Sequence, residues 1–180
     1  MKRSLRNEIL AKRKAQSAEE RAAKSKLIMH ELIELPEFRE AKVVAFYLPV
    51  NGEVDTTEMI KWAHQEGKEV CVPVVHEGKR MCMVIYEPLA RMKKGKYRIP
   101  EPVGKPERHH VDLIVVPGVV FDRRGHRIGM GRGCYDYFLK DKTCVNVGIC
   151  FGFQLVDEVP VEPHDIAVNI IVTEHGAIRM

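Results

Sequence analysis

The sequence predicts an α/β fold: a three-layer α/β/α domain with a mainly parallel sheet and an antiparallel hairpin at one edge. Three observations predict it. The run Val43–Leu48 is apolar and β-rich throughout, the pattern of a strand buried on both faces. A helical stretch separates it from a second such run, Glu69–Val75, and a strand–helix–strand unit implies a parallel pair with a right-handed crossover. The 180 residues are enough for one domain with a proper core and too few for two, so residues 1–180 are read as a single domain.

The elements follow in order. Lys2 to Lys14 is a first helix, with Leu5, Ile9 and the stem of Lys12 on its buried face. Ser17-Ala-Glu-Glu20 is a capping box that opens a second helix. Its buried stripe is Ala23, Leu27 and Leu32, and it ends near Leu35, before Pro36. Pro36 to Lys42 is a link in which Phe38 covers the core. Val43–Leu48 is the first strand, and Pro49 to Glu53 turns out of it. Asp55 or Thr56 caps a third helix carrying Met59, Ile60 and Ala63, which Gly67 closes. Glu69–Val75 and Met81–Tyr86 form a hairpin around the loop His76 to Arg80. Lys93 to Lys105 is turn-rich. Asp112–Pro117 and Thr143–Cys150 are further buried strands. Val168–Thr173 is the last main strand, and Gly176 turns into a small antiparallel edge at Ala177–Arg179.

Composition narrows the function. The chain is 45% hydrophobic and 30% charged, with a net charge of +4. No apolar run approaches the roughly 18 residues of a membrane span. Met1-Lys2-Arg3 leads into a charged helix, not an apolar signal core. Cys71, Cys82, Cys134, Cys144 and Cys150 form no Cys-x-x-Cys pair, so reduced thiols in a cytoplasmic protein are expected. Much of the basic excess lies in the first 26 residues. Lys2, Arg3 and Arg6 cluster at a helix start, where the dipole favours anions, so an anionic partner is indicated. A solvated basic face is the competing reading. The basic residues lack interleaved aromatics, which argues against single-stranded nucleic acid.

Gly125–Leu139 carries the strongest signal. Gly129, Gly131 and Gly133 alternate, and Tyr135, Phe138 and Leu139 then follow at helical spacing. A glycine loop that empties into a helix suits phosphate, and Arg127 and Arg132 add cations. Asp136 in the first helical turn conflicts with a bound anion unless Mg²⁺ lies between them. The spacing is neither that of the dinucleotide fingerprint nor that of a P-loop, and a tight loop that glycine merely permits remains open. A sugar-phosphate or acyl-group enzyme on a similar scaffold is a further alternative.

Arg127-Ile-Gly-Met-Gly-Arg-Gly-Cys-Tyr-Asp-Tyr-Phe-Leu139 resembles the signature of the 5-formyltetrahydrofolate cyclo-ligase family, also called 5,10-methenyltetrahydrofolate synthetases. Cys134 stands where that family usually has tyrosine, and Asn169 where many relatives have aspartate. The resemblance extends to Lys2-Arg3-Ser4-Leu5-Arg6, to Glu53 after the first strand, to Tyr97-Arg-Ile-Pro-Glu-Pro102 and to His164-Asp165. It implies the following roles. Lys2, Arg3 and Arg6 reach ATP phosphates, together with Arg127, Gly129, Met130, Gly131, Arg132, Gly133, Cys134 and Tyr135. Glu53 holds the reduced pterin, flanked by Leu48, Tyr97 and Tyr135. Asp136 and Asp165 hold Mg²⁺, and Arg127, Arg132, Tyr135 and Asp136 serve catalysis. The implied reaction turns ATP and 5-formyltetrahydrofolate into 5,10-methenyltetrahydrofolate, ADP and phosphate, in a cytoplasmic monomer with no nucleic-acid or membrane partner.

Overall fold

A computed structural model describes residues 1–180. The helices are α1 (Lys2–Ala15), α2 (Ala18–Glu34), α3 (Pro36–Glu40), α4 (Thr57–Gln65) and α5 (Cys134–Leu139). The strands are β1 (Val43–Ala45), β2 (Glu69–Val75), β3 (Met81–Ile85), β4 (Met92–Lys94), β5 (Pro100–Pro102), β6 (Leu113–Val116), β7 (Val120–Asp122), β8 (Arg127–Ile128), β9 (Val145–Ile149), β10 (Leu155–Val156), β11 (Ile170–Thr173) and β12 (Gly176–Arg179). Seven strands form the main sheet, in the order β12-β11-β9-β6-β1-β2-β3. The five inner strands run parallel, and both edge strands, β12 and β3, are antiparallel. Each edge therefore carries a hairpin.

Side chains alternate across the sheet with period two. Val44 faces a core made with Ile28, Leu32, Phe38, Met59, Ile60 and Ala63, so α2, α3 and α4 cover that face. Its neighbours Val43 and Ala45 face the opposite core, where Leu139 of α5 packs with Met81 and Met83. A third, smaller group joins Ile9 of α1 to Val119, Val120, Ile128 and Val159.

Local chemistry accounts for most boundaries. Ser17 and Glu20 make the reciprocal capping box: the Ser17 hydroxyl accepts from the Glu20 N–H at 3.1 Å, and the Glu20 carboxylate from the Ser17 N–H at 3.2 Å. At α4 the Asp55 carboxylate accepts from the Thr57 N–H at 2.9 Å, while the Thr56 hydroxyl turns away and donates to the Tyr47 carbonyl at 2.7 Å. That bond occupies the Tyr47 carbonyl, and the last bond to β2 before it runs from the Phe46 N–H to the Cys71 carbonyl at 2.9 Å. β1 thus ends at Ala45, earlier than the apolar run suggests, although Phe46 and Tyr47 stay buried.

Four expectations are corrected. Arg13, not the Lys12 stem, lies on the buried face of α1, and Lys12 is exposed. The inner face of α2 is Ser25, Ile28 and Leu32, whereas Ala23 and Leu27 face solvent, Leu27 at 52% exposure. The link Pro36 to Lys42 contains the helix α3, with Pro36 at its first position, where its missing N–H costs nothing. The turn-rich stretches hold short strands: β4 pairs with β5, and β10-β7-β8 make a three-stranded sheet.

Candidate active site

A cavity of about 610 Å³ opens at the carboxyl ends of β1, β2 and β6, where ligands settle in parallel α/β sheets. Pro73 and Val75 from β2 and Pro117 to Val119 after β6 form its floor. The glycine loop forms one wall and the turn after β1 another. Lys2 and Arg6 of α1 reach in from the side, and the segment around Asp165 completes the rim.

The glycine loop is built by backbone geometry. Gly131 and Gly133 have φ of +88° and +68°, a region side chains disfavour. Both also sit under cations. A Cβ on Gly131 would lie 3.4 Å from the Arg6 guanidinium, and one on Gly133 would lie 3.4 Å from Lys79 Nζ. Arg6 is fixed there, its Nε donating to the Gly129 carbonyl at 2.7 Å. Arg127 is almost fully buried. One of its nitrogens donates to the Ile166 carbonyl at 2.6 Å, and another pairs with Asp136 Oδ1 at 3.0 Å. The Ile166 N–H also donates to that oxygen, at 3.0 Å. Arg127 and Asp136 thus tie the loop and α5 to the segment before β11.

Lys2 meets two carboxylates, Asp165 at 2.7 Å and Glu162 at 2.8 Å. Partial burial is the largest single influence on Asp165 and opposes its charge, but the Lys2 hydrogen bond and charge, the Glu162 N–H and His164 together outweigh it and hold the carboxyl below its ordinary range. Lys2 is raised for the same reason, burial being outweighed by its two partners. Ligand atoms of Glu162, His164 and Asp165 lie within 4.8 Å of one another. Asp136 is not in that group, though it lines the same cavity.

In the turn after β1, the Glu53 carboxylate accepts from the Val50 N–H at 2.9 Å. Burial pushes its carboxyl up, against the pull of that hydrogen bond and of Arg13. Leu48 lines the cavity beside it. Burial likewise raises the Tyr135 hydroxyl. Tyr97 reaches the mouth from the turn between β4 and β5, and the Arg132 guanidinium stacks on its ring at 3.7 Å.

The structure therefore brings together every residue expected at the site except Arg3, which is exposed and outside the wall. Sequence reasoning missed Lys79, Glu162, Tyr47 and the support from Arg13. Lys79 had one signal, a basic tip on the β2–β3 hairpin. Arg13 had none, since a charged residue within a basic helix reads as solvated.

The likeness to known proteins covers the same ground. A family model described as the 5-formyltetrahydrofolate cyclo-ligase family matches residues 1–174. A 5-formyltetrahydrofolate cyclo-ligase of Mus musculus is 31% identical, over 96% of this chain and 93% of its own. One from Escherichia coli K12 is also 31% identical, over 92% of this chain and 96% of its own. The solved 5,10-methenyltetrahydrofolate synthetase of Aquifex aeolicus superposes with a TM-score of 0.89 at 38% identity, covering 99% of this chain and 92% of that one. Sequence, fold and the joint cavity of glycine loop and strand-end glutamate agree, and the chain belongs to the 5-formyltetrahydrofolate cyclo-ligase family.

Proposed function

We propose that this enzyme uses ATP to cyclise 5-formyltetrahydrofolate to 5,10-methenyltetrahydrofolate, releasing ADP and phosphate. The observation that carries the reading is the cavity that a cationic glycine loop and Glu53 line together. A formamide oxygen is a poor leaving group. Transfer of the γ-phosphoryl group to it makes it a good one. N10 then attacks the activated carbon, the ring closes, and the formyl oxygen departs in phosphate. Such a transfer needs placement and charge neutralisation more than covalent help.

Arg6, Arg127, Arg132 and the loop 129–135 hold the triphosphate, with Lys2 beside them. Lys2 must leave Asp165 to reach phosphate. Glu53 accepts from pterin N–H groups, Leu48 and Tyr135 flank the ring, and Tyr97 covers it. Asp136 and Asp165 would hold Mg²⁺. The donor set fits a hard cation, because Asp136 Oδ2 and Asp165 Oδ1 accept no hydrogen bond. When bound, Mg²⁺ would neutralise charge on the phosphates. The reading extends to one domain over residues 1–180, acting as a cytoplasmic monomer without a nucleic-acid or membrane partner; five free thiols suit a reducing compartment.

The test is ADP and methenyltetrahydrofolate measured in one reaction, with each substrate omitted in turn. Equal amounts, formed only when both are present, are expected. ADP release indifferent to the folate, with no cyclised product, ends the reading.

A further inference from the structure

Arg13 lies at the far end of α1 from the phosphate-facing Lys2 and Arg6, and it is only 2% exposed. One guanidinium nitrogen donates to the Asn51 carbonyl at 2.7 Å. The other two, Nε and NH1, are buried without a partner. An arginine stays charged in proteins, and a buried cation is costly unless something compensates it. No carboxylate makes an ion pair with Arg13 within 4.0 Å, but the acidic charge acting on it is that of Glu53, two residues beyond its hydrogen-bond acceptor. The turn it holds is tight: Asn51 and Gly52 both have positive φ, +51° and +74°, a conformation these two residue types adopt most readily.

We propose that Arg13 is a positioning residue for the folate: it fixes the Asn51 turn and keeps the buried Glu53 carboxylate ionised to receive the pterin. The proposal rests on the cyclo-ligase reading of the cavity. The groups facing Glu53 are few. The Val50 N–H and Arg13 favour its ionised form. Tyr47, at the end of β1, donates its hydroxyl to the Val54 carbonyl at 2.8 Å, and Tyr135 approaches from α5; neither offers a cation. Arg13 is therefore the positive side chain that acts on Glu53, while the Arg21 guanidinium of α2 lies beside the neighbouring Gly52. Without it, burial acts on the carboxyl with only the Val50 N–H opposed. Glu53 then takes a proton at higher pH and ceases to accept from the pterin.

The experiment follows kcat/KM for 5-formyltetrahydrofolate and for ATP against pH in wild type, Arg13→Met, Arg13→Gln and Arg13→Lys. The Met variant loses charge and donor, the Gln variant loses charge alone, and the Lys variant keeps charge. In Met and Gln the acid limb of the folate profile should move to higher pH by about one unit, so that kcat/KM for the folate falls up to about tenfold on that limb and changes less near neutral pH. Lys should restore the limb. The ATP KM should stay within about twofold throughout. A limb that does not follow charge, or an ATP KM that rises beyond that range, overturns the proposal. Where Met does not fold, the Gln and Lys pair decides in the same way. Failure of the cyclo-ligase reading is distinct, since wild type itself would then form no methenyltetrahydrofolate.

Discussion

The guanidinium of Arg132 rests 3.7 Å from the centre of the Tyr97 ring, so the glycine loop and the β4–β5 turn touch across the mouth of the cavity. Tyr97 and Arg98 have φ of +57° and +62°, each costing on the order of 1–3 kcal/mol. One exposed cation–π contact returns only about 0.5–1 kcal/mol. The turn therefore depends on more than the stack. The Lys96 ammonium donates to the His76 carbonyl at 3.1 Å, and β4 pairs with β5.

Tyr97→Phe should keep activity, because the stack needs the ring and not the hydroxyl. Tyr97→Ala should raise the folate KM about fivefold, the equivalent of about 1 kcal/mol. Steady-state kinetics with each substrate varied will check this. An unchanged folate KM in the Ala variant would remove Tyr97 from the site.

Lys2→Met should raise the ATP KM about tenfold or more, since hydrogen bonds to charged groups contribute about 1.5–3 kcal/mol. The folate KM should hardly move. Isothermal titration with ATP and with folate separates the two.

Asp136→Asn and Asp165→Asn should each lower turnover at limiting Mg²⁺ by at least about tenfold to a hundredfold, the range seen for weaker partners of metal ligands. Saturating Mg²⁺ should recover part of the loss. Wild-type activity at limiting Mg²⁺ in either variant would exclude that residue as a ligand.

Asp122 gives a prediction about stability. It is fully buried and accepts from the N–H groups of Arg124 at 2.9 Å, His126 at 3.0 Å and Val159 at 3.2 Å. Burial opposes its charge, yet these bonds outweigh it and hold the carboxyl below the usual carboxylate range. A depressed folded pKa adds stability above the unfolded value of about 3.9, and that stability is lost as pH falls through the folded pKa. Asp122→Asn should cost about 1–3 kcal/mol at neutral pH and flatten the acid limb of the stability curve. Urea melts at pH 3 to 7 will show whether wild type and variant converge in acid.

The sequence made the sheet legible where strands were long and buried. Glu69–Val75 is one strand in both readings, because both its ends are marked, by Gly67 before and by the hairpin loop after. The glycine loop was equally plain, since its residues are contiguous. What was hidden depends on contacts between distant segments. Helix α2 carries two apolar stripes, Ala23 with Leu27 and Ile28 with Leu32, and only the docked sheet selects the second. β7, β8 and β10 are two or three residues long, too short for any periodicity. Lys2 reads as a phosphate ligand locally, but its carboxylate partners lie 160 and 163 positions away.

That separation has a consequence for how the protein comes into being. Lys2 closes on Asp165, and Arg6 on the Gly129 carbonyl 123 positions along. A nascent chain that has not reached Asp165 cannot close the cavity that these residues line, so the cavity forms late in synthesis. Helix α1 fully buries only Ile9 and Arg13, with Leu5 and Leu10 partly buried, so comparatively few core contacts hold it. On the proposed reading a nucleotide would bridge it to the glycine loop and draw it into the cooperative unit, and amide exchange along α1 would then report occupancy.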